Sequence, residues 1–285
     1  MQYFFLRQTP LTLSMMNIRR QYTAILVLTS LLTACSTVGQ RSAHNQNVEG
    51  AAASSGASRV LGDGISSDCN VPPDSGRMHY IIGYGSLMQD ASRKRTSPQA
   101  GPAHPVEIKG YRRGWYARAE AVGFSATYLG VVPDRESYLN AVIYEVDSAE
   151  LIATDKREVS YCRASAVISD IKSLEREFSP KPNAQAWIYV SRPQSVATPS
   201  SRYPIVQSYV DIFVSGCLEQ EQRFGLTNFS QQCLSTTADW SEHWVNDRIY
   251  PRRAFVFQPK ARQIDDLLSR QLPQYFSHIR IESGG

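Results

Sequence analysis

Beyond residue 77, short apolar runs alternate with polar turns, a pattern typical of β-strands. The runs are rich in β-branched and aromatic residues, which favour strands. The first, residues 79–84, ends in a glycine-containing segment and predicts a buried strand followed by a turn. Further strands are predicted at residues 111–117, 126–132, 139–146, 164–168 and 184–190.

Two helical patterns accompany these strands. Asp147, with Glu150 three positions later, forms an acidic capping box and predicts the start of a short helix. From Ile205 onward, apolar residues recur at three- and four-residue steps. Strands with few helices, followed by a helical C-terminal third, indicate an α+β fold. The absence of regular βαβ alternation argues against a doubly wound sheet.

The first 34 residues are organised like an export signal. Arg19 and Arg20 precede an apolar run at residues 22–32, and small residues follow. The run is shorter than the ~20 apolar residues that cross a bilayer. Residues 32–35, Leu-Thr-Ala-Cys, resemble the lipobox of bacterial lipoproteins. That resemblance implies removal of residues 1–34 and attachment of lipid to Cys35.

The same resemblance predicts the location of the protein and the division of its chain. With Ser36 after the lipidated cysteine, we expect the outer membrane of a bacterial cell envelope, facing the periplasm. Residues 35–77 are rich in Ser, Ala, Gly and Asn and predict a flexible, lipid-anchored tether. Residues 78–195 are then the main domain, and residues 196–285 a helical region packed on it.

The small net charge outside the predicted signal argues against nucleic acid as a partner, although the whole chain carries +4. Three basic residues and no acidic residue lie in the predicted signal, which leaves 27 basic against 26 acidic residues. A nucleic-acid surface needs a dense basic face.

The cysteines indicate disulfides and the histidines indicate no metal. An exported protein can oxidise Cys69, Cys162, Cys217 and Cys233, in three possible connectivities. Cys217 and Cys233 flank a predicted helix–turn–helix and are the favoured pair. The five histidines are 25 or more positions apart and form no local metal cluster. We predict neither a metal nor a cofactor.

Two short segments carry candidate chemistry. Tyr84-Gly85-Ser86-Leu87 closes the first strand, and a turn of this kind exposes N–H groups that can hold a carboxylate. A serine-hydrolase elbow around Ser86 would need glycine at positions 84 and 88, and the chain has Tyr and Met there. The second segment, residues 155–163, would by composition alone be a solvated helix end.

Taken together, several segments identify a family. In order they are YGSL at 84–87, GYRRGW at 110–115, LGVVP at 129–133, NAVIYEV at 140–146 and REVSYCR at 157–163. This arrangement resembles the gamma-glutamylcyclotransferase-like superfamily, including its ChaC-type glutathione-degrading branch, over roughly residues 79–168. The resemblance implies a small mixed β-barrel of α+β class with a cavity at one end.

The resemblance also implies the site residues. The backbone amides of Tyr84, Gly85, Ser86 and Leu87 would bind a γ-glutamyl group, Glu158 would be the catalytic residue, and Tyr161 would reach the same pocket. The chain departs from the ChaC-type pattern at Ser160, where glycine is usual, and at Asp155-Lys156, where the common form begins Leu-Asp. The leaving group therefore stays open.

The implied reaction needs no cofactor. The substrate's α-amine attacks its own γ-amide carbonyl, closes the lactam 5-oxoproline and expels an amine. Nucleophile and electrophile belong to one molecule, so the substrate supplies the proximity. One carboxylate can act as base and then acid if an apolar surround raises its pKa. We predict that role for Glu158, with Ser86 donating a hydrogen bond to substrate.

Two alternatives share this scaffold. The first is a non-catalytic envelope lipoprotein that binds γ-glutamyl or related ligands or a protein partner. The second is an enzyme that cleaves γ-glutamyl-amine or isopeptide bonds, which still requires a free α-amine on the γ-glutamyl unit.

Other residues have less specific patterns. Arg113 or Arg163 is a candidate partner of the substrate carboxylate. Trp115 is predicted in the core, and Trp240 and Trp244 are predicted on one helix face. A Ser86–His243–Asp247 triad lacks the elbow and is set aside.

Overall fold

The computed structural model describes residues 60–61, 65–66, 69–121, 124–253 and 260–282. The predicted signal, Cys35 and most of the predicted tether lie outside these residues. Within them, no helix combines the length and apolar character needed to cross a bilayer.

The secondary structure is a mixture of short and very long strands with helices concentrated towards the C-terminus. The strands are β1 (Val60–Leu61), β2 (Ile65–Ser66), β3 (His79–Gly83), β4 (His104–Ala121), β5 (Phe124–Val146), β6 (Tyr161–Ala166), β7 (Ile171–Ser173), β8 (Gln185–Ser191), β9 (Ile205–Val206), β10 (Thr237–Ala238), β11 (Trp244–Asn246) and β12 (Arg280–Ile281). The helices are α1 (Asp90–Lys94), α2 (Ser148–Arg157), α3 (Gln207–Phe224), α4 (Phe229–Ser235), α5 (Ala261–Gln271) and α6 (Pro273–Phe276).

A long antiparallel hairpin of β4 and β5 is the centre of the sheet. The two apolar runs predicted at 126–132 and 139–146 belong to one strand, β5, because the polar residues between them stay extended beside β4. Besides β4, β5 pairs with β3 in its C-terminal half and with β9 near its start.

The sheet is mixed and open within the described residues. Its main path is β12-β11-β9-β5-β3-β8-β6, with β4 joined to β5, β7 and β10. The α+β class is confirmed, but the closed barrel is not observed. A barrel would bring β6 and β7 together, and these strands instead pair only with β8 and β4 respectively.

The core lies on both faces of the sheet. Successive residues of β3 enter different apolar clusters, Ile81 in one and Ile82 in the other, as strand alternation requires. The larger cluster contains Trp115, as predicted, and the inner face of α3. The smaller cluster is formed mainly by side chains of β3, β4, β5, β6 and β8.

Local signals place the helices as the sequence predicts. The Asp147 carboxylate accepts the Glu150 N–H at 2.8 Å and caps α2. The helix predicted after Ile205 is α3, and it ends at Gly225 in the left-handed conformation. A disulfide joins Cys217 of α3 to Cys233 of α4, so the favoured pair is confirmed.

The helix predicted for Trp240 and Trp244 is wrong. Residues 244–246 form β11, which lies parallel to β9 and β12. Backbone pairing with these strands replaces helical hydrogen bonding in this segment. The two indole rings still stack, with centroids 5.2 Å apart, and Trp240 packs edge-on against Trp115.

The end of the predicted tether is part of the folded domain. Cys69 forms a disulfide with Cys162 of β6. The N–H of Asn70 donates to the Arg163 carbonyl at 3.1 Å, and the Arg163 N–H donates to Asn70 Oδ1 at 3.0 Å. The chain is therefore attached at residue 69, before the predicted boundary at 78.

Arg113 lies at the junction of these elements and is fully buried. Its guanidinium lies over the Phe213 ring of α3, at 4.8 Å. It donates hydrogen bonds to the carbonyls of Tyr84, Asn140 and Cys233 and to the side chains of Asn140, Thr236 and Thr237. No carboxylate is among these partners, and burial lowers the pKa of Arg113 to about 9. Arg113 therefore does not bind a substrate carboxylate.

Arg113→Met should destabilise the protein strongly, because it removes six hydrogen bonds to oxygens that are buried or nearly so. A loss of about 3 kcal/mol or more in the free energy of unfolding is expected, since each unsatisfied buried group costs ~1–3 kcal/mol. Chemical denaturation of the two proteins measures it.

Arg112→Met is the matched control on the same strand. The Arg112 side chain is 44% exposed and its ion pairs are on the surface, where such pairs contribute ~0–1 kcal/mol. Equal losses for the two variants would contradict the assigned role of Arg113.

Candidate active site

The turn after β3 is held from three sides. Tyr84 donates its hydroxyl proton to the Tyr189 carbonyl of β8, and its own carbonyl accepts from Arg113. Residues 86–88 form a 3-10 turn that closes with a hydrogen bond from Met88 N–H to the Gly85 carbonyl. In the part of the chain that the structure describes, no acceptor takes the N–H of Gly85 or Leu87. These two donors are unpaired within the described protein, and their residues line a small cavity.

Helix α3 passes unusually close to this turn. A Cβ on Gly216 would lie 2.6 Å from the Gln89 nitrogen, so only glycine permits this contact. Nearer the start of α3, the hydroxyl of Tyr209 would lie 2.8 Å from a Cβ on Gly85. Glycine is therefore required at 216, where backbone meets backbone, and glycine at 85 leaves room for the Tyr209 hydroxyl.

Glu158 follows the last residue of α2 and is held beside the turn by its neighbour. Arg157 Nε lies 3.1 Å from Glu158 Oε1, while Arg157 Nη2 donates to Ser86 Oγ at 3.0 Å. Further hydrogen bonds from Arg157 to Ser92 and Thr96 fix its guanidinium. Glu158 Oε2 has no partner among the described residues, so it is the oxygen that a ligand can reach.

Tyr161 closes the opposite wall. Its N–H donates to the Glu158 carbonyl at 2.8 Å, and its hydroxyl donates to the Leu129 carbonyl at 2.8 Å. The hydroxyl proton is thereby engaged with the backbone, and the ring faces the site.

These residues surround a pocket with an inner extension. The outer pocket has a volume of about 270 Å³ and the inner cavity about 20 Å³. Both are lined by Ser86, Glu158, Tyr161 and Tyr209. The inner cavity adds Ile82, Tyr84, Gly85, Leu87, Leu129 and Tyr189, and the outer pocket adds Arg95, Thr96, Ala117, Arg118, Ala119, Tyr128, Arg157, Ser160 and Arg253.

Burial sets the protonation of the site. It raises the pKa of the Glu158 carboxyl above its ordinary value, against the opposing charges of Arg157 and Arg253. Burial also raises the pKa of Tyr209 to about 12 and the pKa values of Tyr84 and Tyr161 well above the usual range. The tyrosines therefore stay neutral at physiological pH. Glu158 is the one carboxylate that lines either cavity in the described structure.

The structure brings together every residue that the resemblance singled out. Tyr84, Gly85 and Leu87 line the inner cavity, and Ser86, Glu158 and Tyr161 line both. The other arginine candidate, Arg163, lines neither. It pairs with Asp155 at 2.8 Å and lies over the Trp187 ring, so it is occupied elsewhere.

Sequence reasoning missed the walls supplied by other elements. Three residues of these walls, Tyr128 of β5, Tyr209 of α3 and Arg253, lie far from both motifs in sequence, and no local signal distinguishes them.

The Ser86–His243–Asp247 triad that was set aside is not formed in the structure. Asp247 accepts from the N–H and hydroxyl of Ser208 at the start of α3, and does not approach Ser86 through His243. Among the described residues, no three His, Cys, Asp or Glu side chains are grouped to hold a metal.

Glu158→Gln should gain stability relative to the natural protein as pH rises. A carboxyl whose folded pKa is raised contributes stability below its unfolded pKa, near 4.5, and loses that contribution as pH rises through the folded value. Glutamine does not titrate. The difference in Tm between the variant and the natural protein should therefore move in favour of the variant from about pH 4.5 upward. Thermal unfolding across pH measures it, and a difference independent of pH would contradict the raised pKa.

Comparison with known proteins connects this site to a family. Residues 81–208 match the family model described as gamma-glutamyl cyclotransferase, AIG2-like. Comparison with curated proteins gave no match. The match contains the turn, Glu158 and Tyr161, and it stops at the second residue of α3.

Solved structures overlap with the chain at low identity. A gamma-glutamyl cyclotransferase is 11% identical, with 68% of this chain and 99% of that chain covered and a TM-score of 0.42. Bacillus subtilis YkqA is 17% identical, with 55% and 53% covered and a TM-score of 0.40. A yeast gamma-glutamyl cyclotransferase specific to glutathione is 12% identical, with 56% and 97% covered and a TM-score of 0.35. At these scores the overlaps carry no further argument. The family-model match, together with the mixed α+β architecture, supports placing residues 81–208 in the gamma-glutamyl cyclotransferase-like superfamily.

Proposed function

We propose that this protein is a gamma-glutamylcyclotransferase-like enzyme that converts a γ-glutamyl amide to 5-oxoproline and a free amine. One observation carries the proposal. Glu158, the one carboxylate in the described lining of the two cavities, has a raised pKa and a free oxygen and lies beside a turn with two unused N–H donors. An intramolecular aminolysis needs a general base and a site that binds and orients the γ-glutamyl group.

The N–H groups of Gly85 and Leu87 hold the α-carboxylate of the γ-glutamyl unit. Such backbone donors suit an anion and need no cation in the inner cavity. Glu158 Oε2 then faces the α-ammonium. The tyrosines that line the cavity are neutral and exclude water without competing for this proton.

The proton moves from the substrate to Glu158 and back. Glu158 takes one proton from the α-ammonium, and the amine nitrogen forms a bond to the γ-carbonyl carbon. The carbonyl π electrons move to oxygen and return as the bond to the leaving nitrogen breaks. Glu158 gives its proton to that nitrogen, which leaves as a neutral amine. The ring nitrogen then passes its one extra proton through Glu158 to the expelled amine, which becomes an ammonium, and Glu158 is ionised again. The ion pair with Arg157 keeps Oε1 fixed while Oε2 exchanges the proton.

Glu158→Gln should keep the fold and lose turnover, because the amide cannot accept the proton. The purified protein and the variant would be incubated with glutathione and a panel of γ-glutamyl amino acids and amines, with 5-oxoproline measured by mass spectrometry. General acid–base catalysis contributes about 10²- to 10⁴-fold, so a loss of that order is expected.

Glu177→Gln is the matched control, since Glu177 is exposed and lines neither cavity. Full activity in a folded Glu158→Gln protein would overturn the assignment. Saturable binding of γ-glutamyl compounds without turnover by the natural protein would instead identify a binding lipoprotein.

We also propose that the protein is anchored by lipid at Cys35 in the outer membrane of a bacterial envelope. The support is the basic, apolar and small-residue order of the first 34 residues and the lipobox-like sequence at 32–35.

Cys35→Ala should move the protein out of the membrane fraction, because no thiol remains to carry the lipid. Fractionation of cells that produce each form, with mass spectrometry of the mature N-terminus, measures this. Equal membrane association of both forms, or an unmodified Cys35 in the natural protein, would contradict the anchor.

A further inference from the structure

The outer pocket carries a strong excess of positive charge. Its charged lining consists of four arginines, at 95, 118, 157 and 253, against the single carboxylate of Glu158. The charges are close enough to act on one another, because burial and then the charges of Arg157 and Arg253 lower the pKa of Arg95. The inner cavity has no cation in its lining. The two parts of the site therefore differ in the ligand charge that they favour.

Arg253 differs from the other arginines whose contacts are described. Arg157 is fixed by Glu158, Ser86, Ser92 and Thr96, and Arg118 donates to the Thr198 carbonyl. The Arg253 guanidinium has neither an ion pair nor a hydrogen bond among the described residues.

Two aromatic rings hold Arg253 in place. Its guanidinium carbon lies 5.4 Å from the Tyr128 ring centre and 5.9 Å from that of Tyr209. Stacking on ring faces orients a guanidinium and leaves the N–H groups at its edge free to donate. These donors suit a carboxylate, which a guanidinium can bind through two parallel hydrogen bonds.

The position of Arg253 indicates which carboxylate it binds. The inner cavity contains the turn and meets the outer pocket at Ser86, Glu158, Tyr161 and Tyr209. With the γ-glutamyl unit at the turn and its reacting atoms at Glu158, the leaving group extends into the outer pocket. Arg253 lies in that pocket and not in the inner cavity.

We propose that the outer pocket selects γ-glutamyl compounds whose leaving group carries a carboxylate, and that Arg253 is the residue that binds it. This inference rests on the proposed function. It predicts a preference for γ-glutamyl amino acids and peptides over γ-glutamyl amines with neutral or cationic leaving groups. Because Arg253 lies outside the matched residues 81–208, the preference is a property of the C-terminal region of this chain.

The test compares γ-glutamylglycine with γ-glutamylglycinamide. These substrates share the α-amine, the α-carboxylate and the scissile bond, and differ only in a terminal carboxylate or carboxamide. The natural protein should show a kcat/KM for the acid that is roughly ten- to a hundredfold higher, the size of a hydrogen bond to a charged group. Arg253→Gln should abolish most of that ratio, and Arg253→Lys should keep part of it.

The ratio separates recognition from chemistry. Arg253 also opposes protonation of Glu158, so Arg253→Gln alters the base. That effect is the same for both substrates and cancels in their ratio. Arg176→Gln is the control for overall charge, since Arg176 is exposed and lines neither cavity, and it should leave the ratio unchanged.

Two results would overturn the inference. The first is equal kcat/KM values for acid and amide in the natural protein. The second is an unchanged ratio in Arg253→Gln, whether or not both values fall together.

If no 5-oxoproline forms from these substrates or from the wider γ-glutamyl panel, the proposed function fails and calorimetric binding decides the inference. Tighter binding of the acid that disappears in Arg253→Gln would uphold the anion site. Equal or absent binding of the two compounds would reject it.

Discussion

A buried cation without a buried anion is the constraint on which the site depends. Taking a guanidinium out of water is costly unless its donors are satisfied. Arg113 meets this requirement with carbonyl and side-chain oxygens drawn from the turn at Tyr84, from β5 and from the end of α4. Because these segments are remote in sequence, satisfying Arg113 fixes their relative positions. The start of the turn, at Tyr84, is thereby fixed to the β4–β5 hairpin and to the C-terminal region.

The site is consequently assembled from two parts of the chain. The segment that matches the family supplies the turn, the carboxylate and Tyr161. The later part supplies most of α3, with Gly216 packed on the turn, and the Arg253 side chain above the Tyr128 and Tyr209 rings. The first part carries the groups that the proposed cyclisation requires. The second encloses them and sets the charge of the entrance.

Local features of the fold could be predicted from the sequence. The capped start of α2, the strand of residues 79–83 and the Cys217–Cys233 pair depend on neighbours in the chain or on one helical hairpin. The Tyr84–Leu87 and Glu158 motifs were visible because their order and spacing resemble a family.

The remaining features depend on contacts between distant segments. A closed barrel would require β6 to pair with β7. The segment that begins at Trp244 pairs with β9 and β12 as a strand, although the spacing of Trp240 and Trp244 is typical of a helix. Arg113, Arg163 and Arg253 are indistinguishable as residue types. Arg113 donates to buried carbonyls, Arg163 pairs with Asp155, and Arg253 faces the pocket. These different roles are set by tertiary packing alone.

The attachment of residues 69–70 to β6 has a consequence for assembly. β6 pairs with β8 on one side, and its other side would be an exposed strand edge that another molecule could extend. Asn70 occupies the N–H and carbonyl of Arg163 on that side, and the Cys69–Cys162 bridge keeps it there covalently. The segment that leads into the domain therefore also caps the sheet at this position, and it ties resistance to edge-to-edge aggregation to the oxidation state of one cysteine pair.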